Sequence, residues 1–155
     1  MEELQYLNAG GLTYAYRRYG DPEAPAVVLL MGLGLSMEAW PEGIISGLLA
    51  EGLQVITPDN RDAGSSFRFT GWQPGRGDVA RAIIRTVLGL SVSGEYALED
   101  MALDIERLLD HLGIRRAHVA GVSMGGMIAQ VFATQCPNPV ATITSISSAV
   151  GNPKT

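Results

Sequence analysis

Ala117-His118-Val119-Ala120-Gly121-Val122-Ser123-Met124-Gly125-Gly126-Met127-Ile128 is the stretch on which the reading of this chain turns. Ala117 to Ala120 reads as a strand. Met124 to Thr134, carrying Met127, Ile128, Val131 and Phe132, reads as an apolar helix. Between them stands G-x-S-x-G, with Gly121, Ser123 and Gly125 at the fixed positions. A serine lifted above a sheet on a sharp strand-to-helix turn needs neighbours without a Cβ on both flanks. The same turn puts it at a helix start, where free N–H groups and the helix dipole favour a developing oxyanion. The plainer alternative is a tight turn in which glycine is required sterically and the serine only caps the helix.

Working outward, Ala26-Val27-Val28-Leu29-Leu30-Met31 is an unbroken apolar run, which predicts a strand covered on both faces, as in a parallel sheet. Leu4 to Leu7 and Leu12 to Arg17, separated by Asn8-Ala9-Gly10-Gly11, read as an antiparallel hairpin. Helical spacing marks Ala39 to Glu51. It marks Leu98 to Leu112 more clearly, with a stripe of Met101, Leu103, Ile105, Leu108, Leu109 and Leu112 stopped by Gly113. Gln54-Val55-Ile56-Thr57 and Val140 to Ile146 are further strands. From residue 26 onward strand and helix alternate. That predicts one α/β domain over residues 1–155, with a mostly parallel sheet, an antiparallel N-terminal hairpin and helices on both faces. Residues 67–95 break the alternation and read as an irregular excursion, within which Val79 to Leu90 has the spacing of a short amphipathic helix.

The loop after the first long apolar strand, Met31-Gly32-Leu33-Gly34-Leu35-Ser36, admits more than one reading. As a dinucleotide loop G-x-G-x-x-G it would pair with Asp59 as the ribose acid, but its sixth position is Met37. As half of an oxyanion hole, it would supply the backbone N–H of Leu33, flanked by Gly32 and Gly34, beside the N–H of Met124. A glycine-rich turn that holds no ligand is the third possibility.

Composition narrows the field. The chain has 155 residues, 46% hydrophobic and 17% charged, with 19 Gly and 8 Pro, which excludes disordered, collagen-like and coiled-coil classes. A net charge of −5 speaks against a nucleic-acid partner. The single Cys136 makes neither an internal disulfide nor a Cys-rich metal site, and fits a reducing cytoplasm. The N-terminal Met1-Glu2-Glu3-Leu4 carries acids rather than a leader-like apolar run, and no stretch reads as a membrane span. A cytoplasmic protein without metal or cofactor is the expectation.

Three motifs in order now carry a resemblance. The apolar strand with Met31-Gly32-Leu33-Gly34, the loop Asp59-Asn60-Arg61-Asp62-Ala63-Gly64-Ser65 and the turn Gly121-Val122-Ser123-Met124-Gly125-Gly126 together resemble the N-terminal part of the α/β-hydrolase family. The middle loop, with Trp40-Pro41 before it, is similar to aclacinomycin methylesterase-like and haloperoxidase-like serine hydrolases. The resemblance implies Ser123 as nucleophile and the amides of Leu33 and Met124 as oxyanion-hole donors, acting on a small-molecule ester. Asp59, Arg61 and Asp62 are expected to brace loops near the site rather than to react.

The family's order is serine, then Asp or Glu, then His, yet no Asp, Glu or His follows Ser123. His118, five residues upstream on one strand, is about 16 Å away by strand rise, and His111 ends the preceding helix. The expectation is therefore a truncated hydrolase core, weak alone or completed by a partner chain. The alternative is a non-catalytic scaffold derived from a hydrolase. Val140 to Ile146, β-rich and uncharged, is expected to pair as a sheet edge with a second copy or a companion chain.

Overall fold

Every residue of β3 (Ala26–Leu30) is buried, because layers cover this strand on both sides. A computed structural model describes residues 3–68 and 96–150, so the expected excursion, including its helix, lies almost entirely outside the described residues. The hairpin strands are β1 (Gln5–Ala9) and β2 (Leu12–Tyr19), joined by Gly10 and Gly11 alone, with φ of 61° and 78°. Two successive left-handed residues make the turn whose twist suits an antiparallel pair. After β3 come a single 3-10 turn (Met37–Ala39), α1 (Glu42–Ala50) and β4 (Gln54–Pro58). The chain then runs through α2 (Leu98–His111), β5 (Ala117–Val122), α3 (Met124–Gln135) and β6 (Val140–Ile146).

The six strands stand in the order β1-β2-β4-β3-β5-β6. The β1–β2 and β2–β4 pairs are antiparallel; β4–β3, β3–β5 and β5–β6 are parallel. From β3 the chain first adds β4 on one side, then returns to add β5 on the other. The order reverses between β3 and β5, and in open α/β sheets the crevice at such a reversal is where ligands bind.

Alternate residues of the central strands feed two cores. Val28, Leu30, Ile56, Ala117 and Val119 pack under α2 and α3, with Phe132, Ile128, Leu108 and Leu109. Val27, Leu29, Met31, Val55 and Trp40 pack on the opposite face against Ile45, Leu48 and Leu49 of α1. This is the mostly parallel sheet with an antiparallel N-terminal pair and helices on both faces that the alternation predicts. The α1 side is the thinner layer: that helix contains no fully buried residue.

Element limits differ from the sequence reading where local chemistry intervenes. The first helix starts at Glu42 rather than Ala39, because Trp40 precedes Pro41 and is pushed to extended backbone (φ −69°, ψ 126°). The buried stripe of α2 is Met101, Ala102, Asp104, Ile105, Leu108 and Leu109; Leu103 and Leu112 are only half-buried. At the start of α2 the Asp100 carboxylate accepts the Ala97 N–H (2.8 Å), one arm of a capping box. β6 is the last strand of the sheet among the described residues, and from Thr142 to Ile146 its side chains are exposed.

Phe132 is fully buried in the larger core, between α3 and the sheet. Phe132→Ala should lower unfolding stability by about 4 kcal/mol, read from urea denaturation.

Candidate active site

The parallel register pairs Leu30 with Gly121, so the loop leaving β3 and the turn leaving β5 emerge side by side. Ser123 sits between β5 and α3 with φ 54° and ψ −119°, a conformation that costs a non-glycine residue on the order of 1–3 kcal/mol. Its N–H donates to the Ile146 carbonyl of β6 (2.9 Å). Its own carbonyl accepts the N–H groups of Gly126 (3.0 Å) and Met127 (3.3 Å). Those bonds start α3 directly at the serine. Helix geometry gives the Met124 N–H no acceptor within α3.

The flanking glycines are there for contact. A Cβ on Gly121 would overlap the Gly125 carbonyl, and one on Gly125 would overlap the Leu30 carbonyl of β3. The first turn of α3 therefore lies against the ends of both strands. A Cβ on Gly32 would stand 3.4 Å from Cβ of Ser123 and 3.8 Å from its Oγ, so the glycine loop faces the serine directly. Leu33 follows, half-buried, and Gly34 turns the chain with φ 72°. Leu33 and Met124 are thus each next in sequence to one of two residues that face each other, Gly32 and Ser123.

The Asp59–Ser65 loop fastens this arrangement. The Asp59 carboxylate accepts the Met37 N–H (2.7 Å) and the Ser65 N–H (2.8 Å), and Asn60 Nδ2 donates to the Met31 carbonyl (2.9 Å). Burial pushes the Asp59 carboxyl above the ordinary carboxylate range, against the pull of those two N–H bonds. Arg61 turns away toward α2, where Nε and a terminal nitrogen hold both oxygens of Asp104 (2.6 and 2.9 Å). Arg61 and Asp104 side chains are each only 8% exposed, so the pair is a buried one. Tyr14 (2.7 Å) and Arg107 (2.9 Å) also donate to Asp104. The guanidinium of Arg61 lies 5.3 Å from the ring centre of Tyr96, whose hydroxyl donates to Asp62 (2.8 Å). Asp59, Arg61 and Asp62 each take part in a bracing contact.

Both histidines have other neighbours. His118 Nδ1 is 2.8 Å from Thr142 Oγ1 on β6, and His111 meets the Tyr16 ring edge to face at 6.2 Å. Among the described residues no group of three His, Cys, Asp or Glu side chains could hold a metal. No helix among them is long and apolar enough to cross a membrane. Sequence reading gave Asn60, Tyr14, Tyr96 and Asp104 no role. Asp104 did leave a signal, as a charge on the apolar face of α2 between Met101 and Leu108.

The sequence profile described as "alpha/beta hydrolase fold" matches residues 25–155. The chain belongs to the α/β-hydrolase family. Among curated relatives of this hydrolase chain are rhodomycin D methylesterase DauP of Streptomyces sp. (strain C5) and DnrP of Streptomyces peucetius. Each is 32% identical over 125 residues, covering 81% of this chain and 35% of the relative. A solved hydrolase from Pseudomonas aeruginosa PA01 superposes with a TM-score of 0.73 at 25% identity, covering 95% of this chain and 46% of that one. The chain thus spans about a third of the length of the methylesterases it matches.

Tyr14 gives the bracing cluster a pH signature. Burial, and then its bond to Asp104, raise its pKa from 10.0 to about 12. A group whose folded pKa is raised stabilises fully below its unfolded value and loses that contribution as pH climbs to the folded one. Tyr14→Phe should cost about 2 kcal/mol at neutral pH. It should also flatten the fall in stability between pH 10 and about 12, measured by chemical denaturation across that range.

Proposed function

We propose that this chain carries the nucleophile and oxyanion hole of a serine-type carboxylic ester hydrolase. The observation that carries the reading is that the side-chain position left empty by Gly32 lies 3.4 Å from Cβ of a strained Ser123 at the start of α3. Ser123 Oγ attacks the carbonyl carbon of a small ester, and its proton passes to a base or to water. The carbonyl oxygen becomes an oxyanion held by the Leu33 and Met124 N–H groups. Collapse of the tetrahedral intermediate expels the alcohol, which takes up a proton and leaves Ser123 acylated; water then releases the acid. No metal or cofactor enters this scheme. The two methylesterase relatives support an ester as the substrate class.

The base and orienting acid lie outside residues 124–155, since none of these is Asp, Glu or His. A triad enzyme stripped of those groups retains roughly 10³ to 10⁴-fold acceleration over water from its oxyanion hole and binding. We therefore expect slow hydrolysis of p-nitrophenyl acetate by the chain alone, falling to the buffer rate in Ser123→Ala. Equal rates for the two proteins would favour the second reading, a hydrolase-derived scaffold that binds without catalysis.

The uncharged, exposed strand β6 supports association through residues 140–146, with a second copy or with a companion chain. Sedimentation should show a concentration-dependent dimer, dissociated by Thr144→Lys on that strand. A monomer at every concentration would rule out pairing between copies.

A further inference from the structure

Two adjacent side chains just past β4 hold the two ends of the glycine loop, and we propose that Asp59 and Asn60 are positioning residues that fix this loop opposite Ser123. The proposal rests on the reading of Ser123 as nucleophile and of the loop as an oxyanion donor. Asn60 Nδ2 grips the Met31 carbonyl, the acceptor of the peptide that leads into Gly32. Gly32 is the residue whose Cβ position lies 3.4 Å from Ser123. At the far end the Met37 N–H is held by Asp59 Oδ1, and in between the Leu35 N–H returns to the Gly32 carbonyl (3.2 Å). The loop carrying Leu33 is a closed turn pinned at Met31 and Met37.

The pins are themselves fixed to the sheet. Asp59 N–H donates to the Ala15 carbonyl of β2 (2.9 Å), and the Asp59 carbonyl accepts the Ser66 hydroxyl (2.8 Å). Ser66 Oγ in turn accepts the Ala15 N–H (2.8 Å). The second carboxylate oxygen of Asp59 takes the Ser65 N–H, past Gly64, where a Cβ would overlap that carboxylate. Asp59 is 3% exposed and Asn60 7%, so water does not compete for these bonds. Rotation of the Met31–Gly32 peptide would break the Asn60 bond and swing the following amides away from the serine. A displacement of about 1 Å in such a group costs on the order of 10² in rate.

The test uses the full chain as wild type, Asn60→Leu, Asp59→Asn, Glu51→Ala and Ser123→Ala. Asn60→Leu removes the donor at similar volume, and Asp59→Asn turns one acceptor into a donor facing an N–H. Two quantities are read: hydrogen exchange of the Leu35 and Met37 amides, and the rate of Ser123 acylation by p-nitrophenyl acetate across substrate concentrations. Both loop variants should exchange about tenfold faster at those amides. Both should acylate about a hundredfold more slowly at saturation, with KM little changed. Glu51→Ala, exposed at the end of α1 and away from the loop, should alter neither. Unchanged acylation in both loop variants, with wild type still well above Ser123→Ala, would overturn the positioning role. Unchanged exchange would overturn the clamp itself. If wild type matches Ser123→Ala, the hydrolase reading fails and the positioning role falls with it, an outcome distinct from the other two.

Discussion

The close approach of the first turn of α3 to the ends of β5 and β3 is the constraint on which the rest of the molecule depends. It exists because Gly121 and Gly125 carry no side chain: either Cβ would overlap a backbone carbonyl. Without that approach, α3 could not begin at Ser123, and the serine would lose the bonds that start the helix. Its strained backbone is held by neighbours on three sides: the Ile146 carbonyl of β6, the amides of Gly126 and Met127, and the facing Gly32. The cost of the strain is spread over packing that would form in any case, because Ile128 and Phe132 of the same helix sit in the main core.

A second level of organisation lies one step behind that contact. The Asp59–Ser65 segment faces two ways at once. Asp59 and Asn60 reach to the glycine loop, while Arg61 reaches to Asp104 on α2. Replacing Asp104 would leave the buried Arg61 charge without its carboxylate, which is costly, whereas replacing Arg61 would leave Asp104 with Arg107 and Tyr14. This one loop thus ties together the hairpin side of the sheet, the helix layer and the crevice between β3 and β5.

Much of this was legible in the sequence because it is written in local patterns. The unbroken run at Ala26–Leu30 reports burial on both faces, and the structure places a core on each side of it. The glycine spacing around Ser123 reports a steric demand that any strand-to-helix turn of this shape makes. The family follows from three such motifs in order. Illegible were the pairings made by tertiary folding. Tyr14 and Asp104 lie 90 positions apart, and no periodicity of either segment connects them. Asn60 lies within the Asp59–Ser65 motif, but its partner is the Met31 backbone carbonyl, which leaves no mark in a sequence. Apolar spacing runs on to Ala39, whereas α1 starts at Glu42 because Pro41 holds Trp40 in extended backbone.

The strand order also bears on how the chain reaches this state. β5, α3 and β6 form a unit within residues 117–146, and its turn at Ser123 is made from neighbours in sequence. The opposing loop belongs to β3, whose register joins Ala26 to Ala117 across most of the chain. Pairing at that separation carries a larger loop-closure cost than pairing within the local β-α-β unit. The two halves of the crevice thus rest on contacts of very different sequence separation, and the turn at Ser123 is complete only when the long-range pairing with β3 is made as well.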